Sequence, residues 1–164
     1  MKKYESLIPI INNALDEFSK YLDPKHKMRL LTELDLQDSK ICWDMTTIGW
    51  NDIPFPNGES RGVYIICGKK KANEDFLGAY VGKASHQSKI GRRLYVHLHN
   101  KERGDKIFPM RDKSGEEFLL EYVITIPMTG MPFFAPALEE FLMDELQKNN
   151  IYLINAVGKK MAIE

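Results

Sequence analysis

The chain has 164 residues, of which 43% are hydrophobic and 28% charged, enough for one domain with a core of its own. Only two cysteines occur, Cys42 and Cys67, which excludes a disulfide framework and a cysteine-based zinc site and leaves two buried thiols in a reducing compartment. Lys plus Arg balance Asp plus Glu at 23 each, so a polyanion would have to be met by a local cationic surface and not by overall charge.

Residues 4 to 22 predict an amphipathic helix, because Ile11, Leu15, Phe18 and Leu22 recur at helical spacing. Pro9 is expected to break or kink its first turn. Glu5, Asn12 and Asn13 interrupt this start too early for a secretion signal, and no run approaches the ~18 apolar residues of a membrane span. The cytoplasm, with no membrane partner, is the expectation. Asp23-Pro24 ends the helix, and a shorter helix is expected over 28–34. Residues 51–60 are rich in breakers and read as a connection.

A β-branched strand is expected over 62–67, a polar turn over 68–75 and a second strand over 77–82, giving a hairpin with a long loop. Ser88 is placed to cap a helix running to about Asn100, with Ile90, Leu94 and Leu98 on one face. The clearest strand is 118–126, stopped by Pro127. A helix over 136–148 begins with Pro136 in its first turn and leads to a short extended tail. The fold class expected is α/β (α+β): a small sheet of about three strands flanked by helices. Residues 1–60 form a helical N-terminal extension and linker, and residues 61–164 the main domain.

From Lys69 to Lys106 ten Lys or Arg stand against four Asp or Glu, a surplus of six that the rest of the chain cancels. On charge alone a solvated face is the plainer reading. Three chemistries are set aside. Gly62-x5-Gly68-Lys69 is one residue too long for a P-loop and lacks the following Ser or Thr. His86, His97 and His99 lack zinc spacing. No Gly-x-Ser-x-Gly elbow is present.

The hairpin carries Gly62-Val63-Tyr64 on one strand and Tyr80-Val81-Gly82 on the other. With this pair the sequence resembles the GIY-YIG nuclease family, and Tyr-Val-Gly-Lys-Ala (80–84) is similar to the form found in its excision-repair members. The resemblance runs over about residues 61–156 and continues in order. Arg93 and His97 stand at i and i+4 on the helix after the second strand, and share a face. A glutamate follows on a later helix. Helical phase puts Glu139 beside Leu142, Met143 and Leu146, and Glu140 with Asp144 on the solvent side, so Glu139 is the expected residue. Asn155 fits the family's asparagine, with Asn150 as the alternative. The family's proline before that asparagine is absent, and the interval from Tyr64 to Tyr80 is long for the family.

The resemblance implies a metal-dependent endonuclease that hydrolyses DNA phosphodiesters with Mg²⁺ (or Mn²⁺) on Glu139 and no organic cofactor. Tyr64 would help deprotonate the attacking water, against an ordinary phenol pKa of ~10 that nearby cations such as Lys83 and the metal would have to lower. His97 would relay the proton, Tyr80 would position water or phosphate, and Arg93 would hold phosphate oxygens. Lys89, Arg92, His99, Lys101 and Arg103 are the expected contacts to the DNA backbone. A restriction-type enzyme, with a homodimer as one arrangement, is the first expectation. A structure-specific repair nuclease and a catalytically silent DNA-binding module are the alternatives.

Overall fold

A computed structural model describes residues 2–46, 54–98 and 108–155. Helices α1 (Lys2–Glu5) and α2 (Leu7–Ser19) come first, followed by strands β1 (Cys42–Asp44), β2 (Gly62–Lys70) and β3 (Asn73–Ala84). Helix α3 (Ile90–Leu98), strands β4 (Phe108–Arg111) and β5 (Glu117–Pro127), helix α4 (Ala135–Lys148) and strand β6 (Tyr152–Leu153) complete the order. Among the described residues the sheet has six strands, not the three expected, in the order β1-β5-β2-β3-β6, with β4 also paired to β5. All pairings are antiparallel except that of β3 with β6. No helix among the described residues is long and apolar enough to cross a membrane.

Strand alternation distributes the core into two layers, one on each face of the sheet. Val63, Ile65, Cys67, Ala79 and Val81 join the apolar stripes of α2 and α4. Tyr64, Ile66 and Ala84 face the other way, with Ile90, Leu94 and Leu98 of α3 and with Trp43 of β1. β2 is buried along Gly62–Gly68 because helices cover both of its faces, as its nearly continuous apolar sequence requires. The N-terminal residues thus supply a helix to one face and an edge strand to the sheet.

Three local expectations change. The first helix is interrupted at Ser6 and ends at Ser19. Pro9 lies in the first turn of α2, where its missing N–H would have had no intrahelical partner. Residues 28–34 are not helical, because side chains claim their backbone groups. Asn12 exchanges two hydrogen bonds with the Leu31 main chain, at 2.8 Å each, and Asp35 accepts from the Thr32 N–H and from the Arg29 fork. The long hairpin loop is instead a short turn at residues 71–72 between extended strands. Its polar half is held by cross-strand ion pairs, Lys69 with Glu74 and Glu121 and Lys70 with Glu116, so the ladder continues where the apolar alternation stops.

The C-terminal tail is fastened to the same sheet. Tyr152 donates to Asp112 at 2.5 Å and stacks on Phe118 with ring centroids 5.4 Å apart. Ile154 N–H then bonds the Ala79 carbonyl at the β3 edge. Beyond that point β3 has no further backbone neighbour on this side among the described residues, and its end lies open between α3 and α4.

Candidate active site

The ladder register sets Tyr64 opposite Gly82 and Ile66 opposite Tyr80, so both tyrosines project from one face toward α3. Their rings stack with centroids 6.4 Å apart. Both tripeptide glycines have steric causes. A Cβ on Gly82 would lie 2.6 Å from Tyr64 Cε2 and closer still to Cζ and Oη. Gly62 has φ +152°, and a Cβ there would press on the Ile126 carbonyl of the neighbouring strand.

Helix α3 is seated by the loop before β2. The Ile90 N–H bonds the Ser60 carbonyl at 2.9 Å, and the Gly91 N–H bonds the Gly58 carbonyl at 3.0 Å. These bonds take the helix's orphan N-terminal donors, a role expected of Ser88, which lies two residues before the helix starts. The loop is itself tied to the sheet through Asn57, which donates to Thr125 Oγ1 at 2.8 Å.

His97 reaches back from α3 to Tyr64, with Nε2 and Oη 3.1 Å apart, and its ring lies 4.7 Å from that of Tyr80. Arg93, one turn earlier on α3, holds its guanidinium near enough to the Tyr64 phenol to bear on its charge. A guanidinium only donates, so a Tyr64 hydroxyl that donates to His97 leaves its lone pairs toward the Arg93 side. Across the open end of β3, Lys83 Nζ meets Glu139 Oε2 of α4 at 2.5 Å. The choice by helical phase therefore agrees with the burial: the Glu139 side chain is 14% exposed, while Glu140 faces solvent.

Burial pushes the Tyr64 phenol up to about 12, with Tyr80 and Glu139 adding to the rise and Arg93 opposing it. Burial likewise raises Tyr80, against the pull of Arg93 and Lys83. The cation bearing on Tyr64 is thus Arg93, where Lys83 was expected; Lys83 is engaged on Glu139. Burial also raises Tyr4 and Tyr122 above the ordinary phenol range. A folded-state pKa above the unfolded value near 10 means stability that is complete below that pH and lost as pH rises through about 12. The midpoint of urea denaturation is expected to be lower at pH 11 than at pH 8; equal midpoints would contradict these shifts.

Asn155 sits at the β3 edge but bonds backbone. Its amide donates to the Val81 carbonyl at 2.6 Å and accepts from the Val81 N–H at 3.2 Å, extending the β6 pairing by one side chain. It orders the strand carrying Tyr80 and Lys83. Asn150, the alternative, lies after α4 with φ +60°.

The cationic surplus is divided. Lys69, Lys70 and Lys71 are paired with acids at the far hairpin end, Lys69 being five residues beyond Tyr64, or about 16 Å along the strand. Lys89 pairs with Glu59 and, with the exposed Arg92, lines a hollow of about 490 Å³ against Pro54 and Phe55 beside α3. His99, Lys101 and Arg103 lie outside the described residues. Sequence reasoning did not find the Lys83–Glu139 pair or the seating loop; helical phase and strand parity together could have found the pair, since Lys83 shares the face of Val81 that α4 covers.

No group of three or more His, Cys, Asp or Glu side chains gathers among the described residues. A single inward carboxylate suits Mg²⁺, which retains water and takes phosphate oxygens, better than an all-protein cage. No family model matches the chain, and neither a curated protein nor a solved structure matches it.

Proposed function

We propose that the protein is a metal-dependent endonuclease that hydrolyses phosphodiester bonds in DNA, of restriction type and of the GIY-YIG kind. The observation that carries this reading is that Tyr64, Tyr80, Arg93 and His97 on the α3 face of the sheet, and Lys83 with Glu139 on its α4 face, meet at one end of β3. Tyr64 also fills the core, but the charged groups around it are not packing residues, and phosphoryl chemistry uses each of them.

Arg93 is exposed on α3 beside the tyrosines and can offer its fork to phosphate oxygens, holding the charge that grows in the transition state. Tyr64, with its phenol held neutral by burial, takes the proton of the attacking water only as it passes its own to His97 Nε2. Imidazole is the side chain whose ordinary pKa lies nearest neutrality, so it is the proton's destination. Tyr80 flanks both and orients the water. Glu139 would hold the divalent cation, Mg²⁺ or Mn²⁺, which when bound supplies Lewis-acid polarisation of the phosphate and stabilises the leaving oxygen. One such site cuts one strand, so a double-strand cut calls for two, and a homodimer supplies them.

Purified protein incubated with supercoiled plasmid and Mg²⁺ should yield discrete fragments, and EDTA should abolish them. Arg93→Ala should slow cutting by about 10²–10³-fold, the usual effect of removing one transition-state donor. Nicks or smears would point to a repair-type nuclease. The Lys83–Glu139 pair, which satisfies the carboxylate without a metal ion, is the observation that favours a silent DNA-binding module. DNA binding with no cleavage at any tested metal would move the function there.

A further inference from the structure

The ion pair at the open end of β3 has an asymmetry. Glu139 is fixed on α4 and 14% exposed, whereas Lys83 is 40% exposed on a flexible four-carbon stem. Of the two, the ammonium is free to leave. A divalent cation and this ammonium would compete for one carboxylate. The local charge decides the order. Among the described residues Arg93 stands beside the pair, so that two cations, Arg93 and Lys83, share this strand end with the one carboxylate of Glu139. A dication entering that site is opposed by the protein until something negative arrives.

We propose that Lys83 gates the metal position: phosphate binds first, draws the Lys83 ammonium off Glu139 onto its own oxygens, and so opens the carboxylate to the divalent cation. The proposal rests on reading Glu139 as the metal ligand of a nuclease. It makes the free protein a poor metal binder and keeps a hydrolytic centre unassembled away from its substrate. By linkage, phosphate and metal strengthen one another by the same factor, and Lys83 carries much of that coupling.

The test is a Mn²⁺ titration of the full chain, followed by electron paramagnetic resonance, with and without thymidine 3′,5′-bisphosphate. Protein-free bisphosphate and Glu139→Gln serve as references. Lys83→Met is expected to bind Mn²⁺ about tenfold or more tightly than wild type in the absence of the bisphosphate, and to show a smaller gain when it is added. Lys83→Gln keeps a hydrogen-bond donor for Glu139 without the charge and should behave alike. Its thermal melt, followed by circular dichroism, guards against a folding defect in the methionine variant. Glu139-dependent Mn²⁺ binding of equal strength in wild type and both Lys83 variants would overturn the gate while leaving the nuclease reading standing. Binding that is also unchanged in Glu139→Gln would remove the metal ligand itself, and with it both readings.

Discussion

Glu139→Ala is expected to abolish metal-dependent cleavage, by more than about 10³-fold or roughly 4 kcal/mol of barrier, while the protein stays folded. The buried side of α4 is made by Ala135, Leu138, Leu142 and Leu146, which the substitution leaves in place. Alanine is also the best helix former. What breaks is a partly exposed ion pair, and the freed Lys83 ammonium is already 40% exposed and can return to water. After discounting for screening by solvent, the change in stability should stay within about 1 kcal/mol. Glu140→Ala, one residue on and exposed, should cut at the wild-type rate. Urea denaturation and plasmid cleavage measured on the same preparations separate the two effects. An active, folded Glu139→Ala protein would remove the carboxylate from the mechanism.

The division between what the sequence displays and what it hides follows the range of the forces involved. Burial on one face writes a helical period into α3 and α4, and burial on both faces writes an apolar run into β2 and β5, so these four are legible, and the helical period separates Glu139 from Glu140. β1, β4 and β6 span two to four residues, too short for any period, and exist because β5 and β3 offer edges to pair with. The polar half of the β2–β3 hairpin was hidden for a related reason. Its strand character is held by ion pairs between residues distant in sequence, such as Lys69 and Glu121. Residues 28–34 mislead in the opposite direction: Met28 and Leu31 are buried as a helix would bury them, but Asn12 and Asp35 hold their backbone groups outside a helix. At the site, residue types and order were visible while partners were not. Phase and parity point Lys83 and Glu139 toward one another's elements, but only the packing of α4 on β3 joins residues 56 apart, and nothing local sets Asn155 on the Val81 main chain.

Gly82→Ala tests the site from beneath, and its expected effect is loss of both cleavage and stability. Two terms oppose one another. Replacing a strand glycine by alanine relieves backbone entropy worth about 0.5–1 kcal/mol, and nothing in the phase of β3 forbids it. Against that, the new Cβ would stand 2.6 Å from Tyr64 Cε2 and nearer still to the ring's polar end. Tyr64 has no solvent exposure and is packed between Tyr80, His97 and the sheet, so the ring cannot tilt away without displacing them. Overpacking of this kind costs about 3 kcal/mol, which outweighs the entropy gain. The same displacement breaks the 3.1 Å approach of Tyr64 Oη to His97 Nε2, on which the proposed proton transfer depends. Chemical denaturation should register the destabilisation, and plasmid cleavage should fall below detection. A Tyr64→Leu background isolates the cause: without the phenol there is little to strike, so the double variant should be more stable than the two single penalties added together, by about 1–3 kcal/mol. Additive penalties, or a Gly82→Ala protein that cuts normally, would mean that the contact over Gly82 is not what holds Tyr64 in the place the proposed mechanism needs.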